Sequence, residues 1–323
     1  MSKLRFGVVG VGYLGSFHAE KYARMADVEL AGVVDTDAER AALVASALGV
    51  SGFTDHRRLF GAVDAVSIAV PTVDHFRIGR SFLENGVDVL IEKPITTRLE
   101  EADELIALAE AHGRILQVGH LERFNPAVAA LQDILDSPQF IESQRLSVFR
   151  NRCTDVSVVL DLMIHDIDII TNLVPSGVRS VRAVGAPVVT PQVDIANARL
   201  EFQNGCVANV TASRVALKNE RSIRLFQKNA HISVDFLNRS IAVLRQRACL
   251  APTIDDPPAA DVQERSFTEA DVLEDEIKAF VRSVATRSEP AVSGRAGRRA
   301  LEIALNIMEQ IDTGRRALAE RSA

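Results

Sequence analysis

The sequence predicts a two-part α/β chain. A doubly wound parallel sheet occupies residues 1–122, and an α+β domain containing a largely antiparallel open sheet occupies 123–323. Three observations carry this. Short apolar runs alternate with helical stretches in the first third of the chain, the rhythm of strands buried on both faces and joined by helical crossovers. Past residue 123 that alternation gives way to a series of strand signals separated by hairpin turns. And 323 residues exceed what one hydrophobic core usually organises.

The strands of the first part are read at "LRFGVVG" (Leu4–Gly10), "ELAGVVD" (Glu29–Asp35), "AVSIAVP" (Ala65–Pro71), "DVLIEK" (Asp88–Lys93) and "RILQVGH" (Arg114–His120). Helical stretches lie between them: "AERAALVASAL" after Asp37, "TVDHFRIGRSFLEN" and "TRLEEADELIALAEAH". Thr97 and Glu100 have the spacing of a capping box for the last of these. The second part opens with a helix over Pro126–Leu135 and a strand at "FIESQRLSVF", then a helix over Ser157–Leu173 stopped by "VPSG". Strands follow in "VRSVRAVGA", "DIANARLEFQNGCVANVTASR", "RSIRLFQKNAHISVDF" and "RSIAVL", with "QNG" and "QKNA" as turns. Pro252–Asp261 reads as a surface loop, "EADVLEDEIKAFVRSVAT" as a helix, and the periodic C-terminal stretch as a helix packing back on the body.

Composition narrows the function. A net charge of −6 gives no general attraction to nucleic acid or to an anionic membrane. Cys153, Cys206 and Cys249 have neither metal-ligand nor disulfide-framework spacing and suit a reducing compartment. Glycines break the apolar N-terminal run too soon for a signal peptide, and no stretch is long and apolar enough to span a bilayer. The expectation is a cytoplasmic protein with no metal, no nucleic-acid partner and no membrane partner.

"VVGVGYLG" places Gly10, Gly12 and Gly15 directly after the first strand, with Tyr13 and Leu14 inside the loop and a helix behind it. Gly10 permits the tight turn, Gly12 lets backbone approach a pyrophosphate, Gly15 lets helix and strand pack closely, and the helix N-terminus favours the anion. Asp35 ends the second strand 20 residues after Gly15, where a carboxylate can bond an adenosine ribose and repel a 2′-phosphate. This favours NAD over NADP, although Thr36 and Arg40 are placed to accommodate a phosphate. Ligands of such sheets lie beyond the carboxyl ends of the strands. Val70 and Pro71, Glu92 and Lys93, and His120 fall there. His75 follows Val70 and Pro71 and is read either as a cofactor neighbour or as a helix-packing residue.

Lys93 ends a buried strand and precedes Pro94, so it either points to solvent or reaches into the ligand crevice. "VLDLMIHDIDII" sets charges inside an apolar helix. Asp161, His165 and Asp168, spaced by four and three, share one face, and Asp161 can pair with His165 and fix its tautomer.

The ordered set "GVGYLG", "EKP" and "DLMIHDIDI" resembles the family of glucose–fructose oxidoreductase and myo-inositol dehydrogenase over nearly the whole chain. The resemblance implies an N-terminal Rossmann domain, an open α/β substrate domain and NAD- or NADP-dependent chemistry on a sugar or cyclitol hydroxyl. The family's catalytic lysine falls on Lys93, and its aspartate and histidine fall on Asp161 and His165. "VGHLERFNPAV" together with "VVLDLMIHDIDII" is similar, within that family, to bacterial UDP-N-acetylglucosamine 3-dehydrogenases, whose 3-keto product leads to the 3-amino sugar of some lipid A.

On this reading His165 is the base, Asp161 orients it, and Lys93 holds the reacting hydroxyl and steadies oxyanion character, with exchange of the two roles left open. Lys93 and His165 are expected to converge on one carbinol at the nicotinamide, in an inter-domain cleft. Arg123, Arg145, Arg150 and Arg152 are candidates for a diphosphate, or else surface charges; Asn125 and Asp168 are further substrate-site candidates. A dehydrogenase of a free sugar or cyclitol is the rival enzyme, and a non-catalytic dinucleotide-binding regulator the rival of another class. The open sheet face suits a homodimer or homotetramer.

Overall fold

The computed structural model describes residues 3–150, 156–246, 260–268 and 270–322. Its contacts divide the chain into two compact units, one of residues 1–124 and 271–301, the other of 125–270 and 302–323. The chain thus leaves the first unit two residues later than expected, and 271–301 return to it.

In the first unit six parallel strands run in the order β3-β2-β1-β4-β5-β6. They are β1 (Leu4–Val9), β2 (Val28–Val34), β3 (Ser51–Phe53), β4 (Ala65–Ile68), β5 (Asp88–Glu92) and β6 (Leu116–Gly119). The order reverses between β1 and β4, the topological switch point at which a doubly wound sheet takes its ligand. The crossovers are α1 (Tyr13–Arg24), α2 (Ala38–Leu48), α3 (Thr72–Glu84) and α4 (Leu99–Ala111). Asp37 caps α2 by accepting from the Glu39 and Arg40 amides at 3.1 Å. The capping box expected for α4 is not made: Arg98 is the N-cap, and Thr97 Oγ1 donates instead to Glu101 at 3.0 Å.

The returning segment completes this core. Helix α7 (Val272–Thr286) sets Ile277, Phe280, Val281 and Val284 against Phe6 and Tyr22. Phe6 stacks on Tyr22 at 4.8 Å and meets Phe280 edge-on at 5.8 Å. Helix α8 (Gly294–Ser322) begins here as well. A Cβ on Gly297 would stand 2.6 Å from Val118, so the glycine permits the close packing on β6.

The second unit holds an eight-stranded sheet in the order β14-β13-β12-β11-β7-β10-β9-β8. Its strands are β7 (Pro138–Val148), β8 (Val178–Ala186), β9 (Ile195–Phe202), β10 (Val207–Ala216), β11 (Glu220–Gln227), β12 (Ala230–Asp235), β13 (Ser240–Gln246) and β14 (Ala260–Ser266). All neighbours are antiparallel except β7 and β10. Ile141, Ala198, Leu200, Val210, Ile223 and Val234 point to the buried face. The opposite face is polar, with Asn197 donating to Thr211 and Arg224 paired with Glu142 across strands.

Further details depart from the sequence reading: β3 was not foreseen, and α1 takes in Tyr13 and Leu14, which the sequence placed in the loop. The helix after Asn125 is shorter, α5 (Pro126–Leu131). Strand β14 was not foreseen, because all seven of its residues are exposed and no apolar alternation marks it. Within the expected loop, 252–259 lie outside the described residues, and Ala260 and Asp261 open β14. The helix expected over 157–173 begins as a π turn, Val159–Met163, before α6 (Ile164–Leu173).

Candidate functional site

The glycine turn of the first unit is built by close contact. Gly10 has φ +83°, and its amide donates to Val34 O at 2.8 Å. A side chain there would meet Ala69 O at 2.6 Å, and a Cβ on Gly15 would lie 1.8 Å from Gly10 O. At Gly12 a Cβ would meet nothing within 4 Å. Gly10 and Gly15 are therefore demanded by the fold itself, whereas Gly12 faces open space that a ligand backbone can approach. A turn of this shape at a helix N-terminus can cradle a pyrophosphate.

A cavity of about 520 Å³ adjoins the turn, lined by Gly10, Gly12, Asp35, Thr36, Arg40, Val70 and Pro71, all expected from sequence. Asp35 is nearly buried, accepting from the Val11 and Asp37 amides at 3.0 Å. Arg40 donates to both of its oxygens at 3.2 and 3.3 Å. The carboxylate is thus fixed at the cavity wall, with Arg40 offsetting its charge. Thr54, His56, Asp74 and Arg77 also line the cavity and were missed. No short pattern marks them, since β3 and the turn after it bring the first two there. Tyr13 is exposed and packs edge-on against Phe17 at 5.2 Å, and Leu14 is half-buried.

Lys93 follows β5, is half-buried, and is joined to Pro94 by a cis peptide. Its amide lies 3.3 Å from Glu92 Oε2. His75 is buried, with one ring nitrogen 2.9 Å from Pro94 O and the other 2.9 Å from Val70 O. Burial lowers its pKa, while the two carbonyls and Glu92 act in the opposite direction. It therefore braces the turns after β4 and β5, the packing alternative of the sequence reading. His120 is buried at the end of β6, and Arg123 lies half-buried in the turn that follows.

In the second unit, the Ile164 amide reaches back to Val159 O, an i→i+5 bond that widens the turn. Asp161 sits inside it, half-buried; His165, Asp166 and Asp168 follow on α6, all buried. The wide turn rotates Asp161 about the axis relative to its place in an uninterrupted α-helix. Single π turns of this kind recur at functional sites. Ser157 accepts the Leu160 and Asp161 amides at 3.1 Å and anchors the turn.

Two candidate substrate residues are occupied by the fold. Arg145 on β7 is buried, with its guanidinium forked onto Asp166 at 2.9 and 3.0 Å. A diphosphate would have to displace that buried carboxylate, so Arg145 supports α6 instead. Asn125 caps α5, its side-chain oxygen accepting from Ala127 at 3.0 Å. Arg150 is exposed, and Arg152 lies outside the described residues.

Sheet order, glycine turn and a cavity-lining acid after β2 define a dinucleotide-binding protein of the doubly wound class. The geometry fits the nicotinamide dinucleotide: a turn open only at Gly12 and a fixed carboxylate beside a cavity. Residues 4–120 match the family model described as "Oxidoreductase family, NAD-binding Rossmann fold", and residues 137–233 match the GFO/IDH/MocA C-terminal domain. The chain belongs to the GFO/IDH/MocA oxidoreductase family.

A UDP-N-acetylglucosamine 3-dehydrogenase of Acidithiobacillus ferrooxidans is 40% identical over 97% of this chain and 98% of its own length. Its solved structure superposes with a TM-score of 0.89, covering 97% of this chain and 99% of that one at 39% identity. A scyllo-inositol dehydrogenase of Lactobacillus casei, solved with NAD(H) and scyllo-inositol, shares the fold at 20% identity, with a TM-score of 0.81 over 97% of this chain and 98% of that one. No described helix is long and apolar enough to cross a membrane.

Proposed function

We propose that this chain oxidises the 3-hydroxyl of UDP-N-acetylglucosamine with NAD, as a cytoplasmic enzyme. The observation that carries the reading is the 40% identity to an enzyme of that activity, running through both units rather than the nucleotide fold alone. The overall change is secondary alcohol plus NAD⁺ to ketone, NADH and a proton; bound NAD⁺ supplies the hydride acceptor.

The chain's own side chains handle the proton and the developing charge. His165 takes the hydroxyl proton, and Asp161 sets the orientation of its ring. Lys93 bonds the same oxygen and stabilises the negative charge that grows on it. Gly12 admits the dinucleotide's pyrophosphate and Asp35 its ribose. Arg123, Arg150 and Asp168 remain assigned to the substrate, the arginines to its diphosphate; Arg145 is withdrawn from that role because Asp166 holds it. The polar outer face of the eight-stranded sheet is proposed as the contact between copies of the chain.

NADH formation, followed at equal concentrations of UDP-N-acetylglucosamine, free N-acetylglucosamine and myo-inositol, tests the reading. Turnover of the nucleotide sugar alone supports it. Turnover of a free sugar or cyclitol without the nucleotide sugar replaces it with the rival enzyme. NADH binding without turnover of any substrate leaves the regulator.

A further inference from the structure

Three acid–base side chains from distant parts of the sequence meet inside the first unit: His18 on α1, Glu92 at the end of β5 and Glu276 on α7. One ligating atom from each lies within 4.8 Å of the others, and His18 Nε2 is 3.2 Å from Glu92 Oε1. His18 and Glu276 are fully buried and Glu92 nearly so. Neither oxygen of Glu276 nor Nδ1 of His18 has a hydrogen-bond partner, and His18 Nε2 meets Glu92 as an ion-pair contact without hydrogen-bond geometry. Gln117, whose amide nitrogen donates to the Glu276 carbonyl at 3.3 Å, also leaves its buried Oε1 unpaired. Among the described residues, no lysine or arginine side chain pairs with either carboxylate.

So many unsatisfied buried atoms in one small volume are costly, and such a set calls for a bound species. Most of these atoms are acceptors, so the species is a donor such as a buried water, or a cation; two carboxylates beside one imidazole favour the cation. Burial, and then the charge of Glu92, disfavour ionised Glu276. A proton shared directly between the acids would need them in hydrogen-bond contact, and Glu276 makes none. A cation bound by one nitrogen of His18 and an oxygen of each glutamate engages all three side chains and offsets both carboxylate charges. One imidazole and two carboxylates suit Zn²⁺ or Mn²⁺, bound at ~2.0–2.2 Å with ligand atoms ~3–4 Å apart. That spacing requires only a small contraction of the observed cluster.

We propose that His18, Glu92 and Glu276 form a buried structural site for one divalent transition-metal cation, Zn²⁺ or Mn²⁺, joining α1, β5 and α7. The ion ties the helix behind the glycine turn and the strand leading to Lys93 to the segment that returns at 271–301. Three side chains leave a fourth position for a second glutamate oxygen or a buried water, and the site takes no part in hydride transfer.

The full chain, produced without a metal-affinity tag in medium supplemented with Zn²⁺ and Mn²⁺, is analysed by elemental mass spectrometry. Its melting temperature is then measured after refolding in EDTA and after adding back each ion. The expected result is about one metal per chain, a Tm at least ~5 °C lower without metal, and recovery on adding back the ion. His18→Gln and Glu276→Gln are each expected to lose the metal and the EDTA response. Metal below a tenth of an equivalent in the parent protein, with a Tm indifferent to EDTA and to both ions, overturns the proposal. So does metal retained at full stoichiometry in both variants, which would place it elsewhere. If a variant fails to fold, the parent protein's metal content and EDTA response still decide the matter.

Discussion

The glycine turn of the first unit and the π turn of the second are held in different ways. At the glycine turn the backbone itself is the device: Gly15 stands where a Cβ would lie 1.8 Å from a carbonyl oxygen, and Gly10 needs φ +83°. At the π turn the backbone makes the wide i→i+5 bond, and the helix that follows it is steadied by a side chain far away in sequence, Arg145 forked onto Asp166. A turn set by backbone sterics tolerates almost no substitution but needs few supporting residues. A helix steadied by a remote side chain tolerates local shape change but weakens when that partner is lost.

The contrast is sharpest at the glycines. Gly15→Ala should prevent formation of the turn, abolishing NADH binding and lowering the soluble yield, as read by fluorescence titration and expression. Gly12→Ala should leave the melting temperature close to that of the parent, since its Cβ meets nothing within 4 Å. It should nevertheless weaken NADH binding at least ~10-fold, about 1.4 kcal/mol, by occupying the approach. Equal loss of Tm in both variants would break the distinction.

Next in size are the proposed reacting residues. Lys93→Met and His165→Ala should each lower kcat by at least ~100-fold while NADH affinity changes little, measured by steady-state rates and titration. In the second unit, Arg145→Met leaves Asp166 buried without its partner and should cost about 3–5 kcal/mol in urea unfolding. A paired Arg145→Met, Asp166→Leu change should recover much of that loss.

A smaller effect has a defined pH signature. Asp194 is buried, which by itself raises its pKa, but the amides of Val188, Val189 and Thr190 and the Thr190 hydroxyl outweigh burial and bring it to about 2. Its folded pKa is depressed. Its contribution, about 2 kcal/mol, is therefore fully present above pH ~4 and lost as pH falls through about 2. Asp194→Asn should flatten that acid limb in thermal melts. Smallest is Asp37→Ala, which removes the cap of α2 and should cost about 1 kcal/mol.

These differences also explain what could be read in the sequence. Gly10, Gly12, Gly15 and Asp35 lie within one strand–turn–helix–strand unit, so local rules place them. Strands β9 to β13 were legible because buried apolar residues recur at alternate positions along them. The exposed edge strand β14 was not, since its residues carry no burial signal. The π turn was not legible either, because "VLDLM" suits an ordinary helical turn equally well and Ser157 anchors it through its backbone. The pairing of Arg145 with Asp166, and the meeting of His18, Glu92 and Glu276, join residues separated by 21 to 258 positions. Only tertiary packing brings such groups together.

The proposed chemistry is tested most directly by following the migrating hydrogen. Incubation with NAD⁺ and UDP-N-acetylglucosamine deuterated at C3, followed by mass spectrometry of the nicotinamide, should give reduced cofactor one mass unit heavier. Substrate deuterated only at C4 should give unlabelled NADH. Label arriving from C4, or reduced cofactor formed without label from C3, would contradict the account.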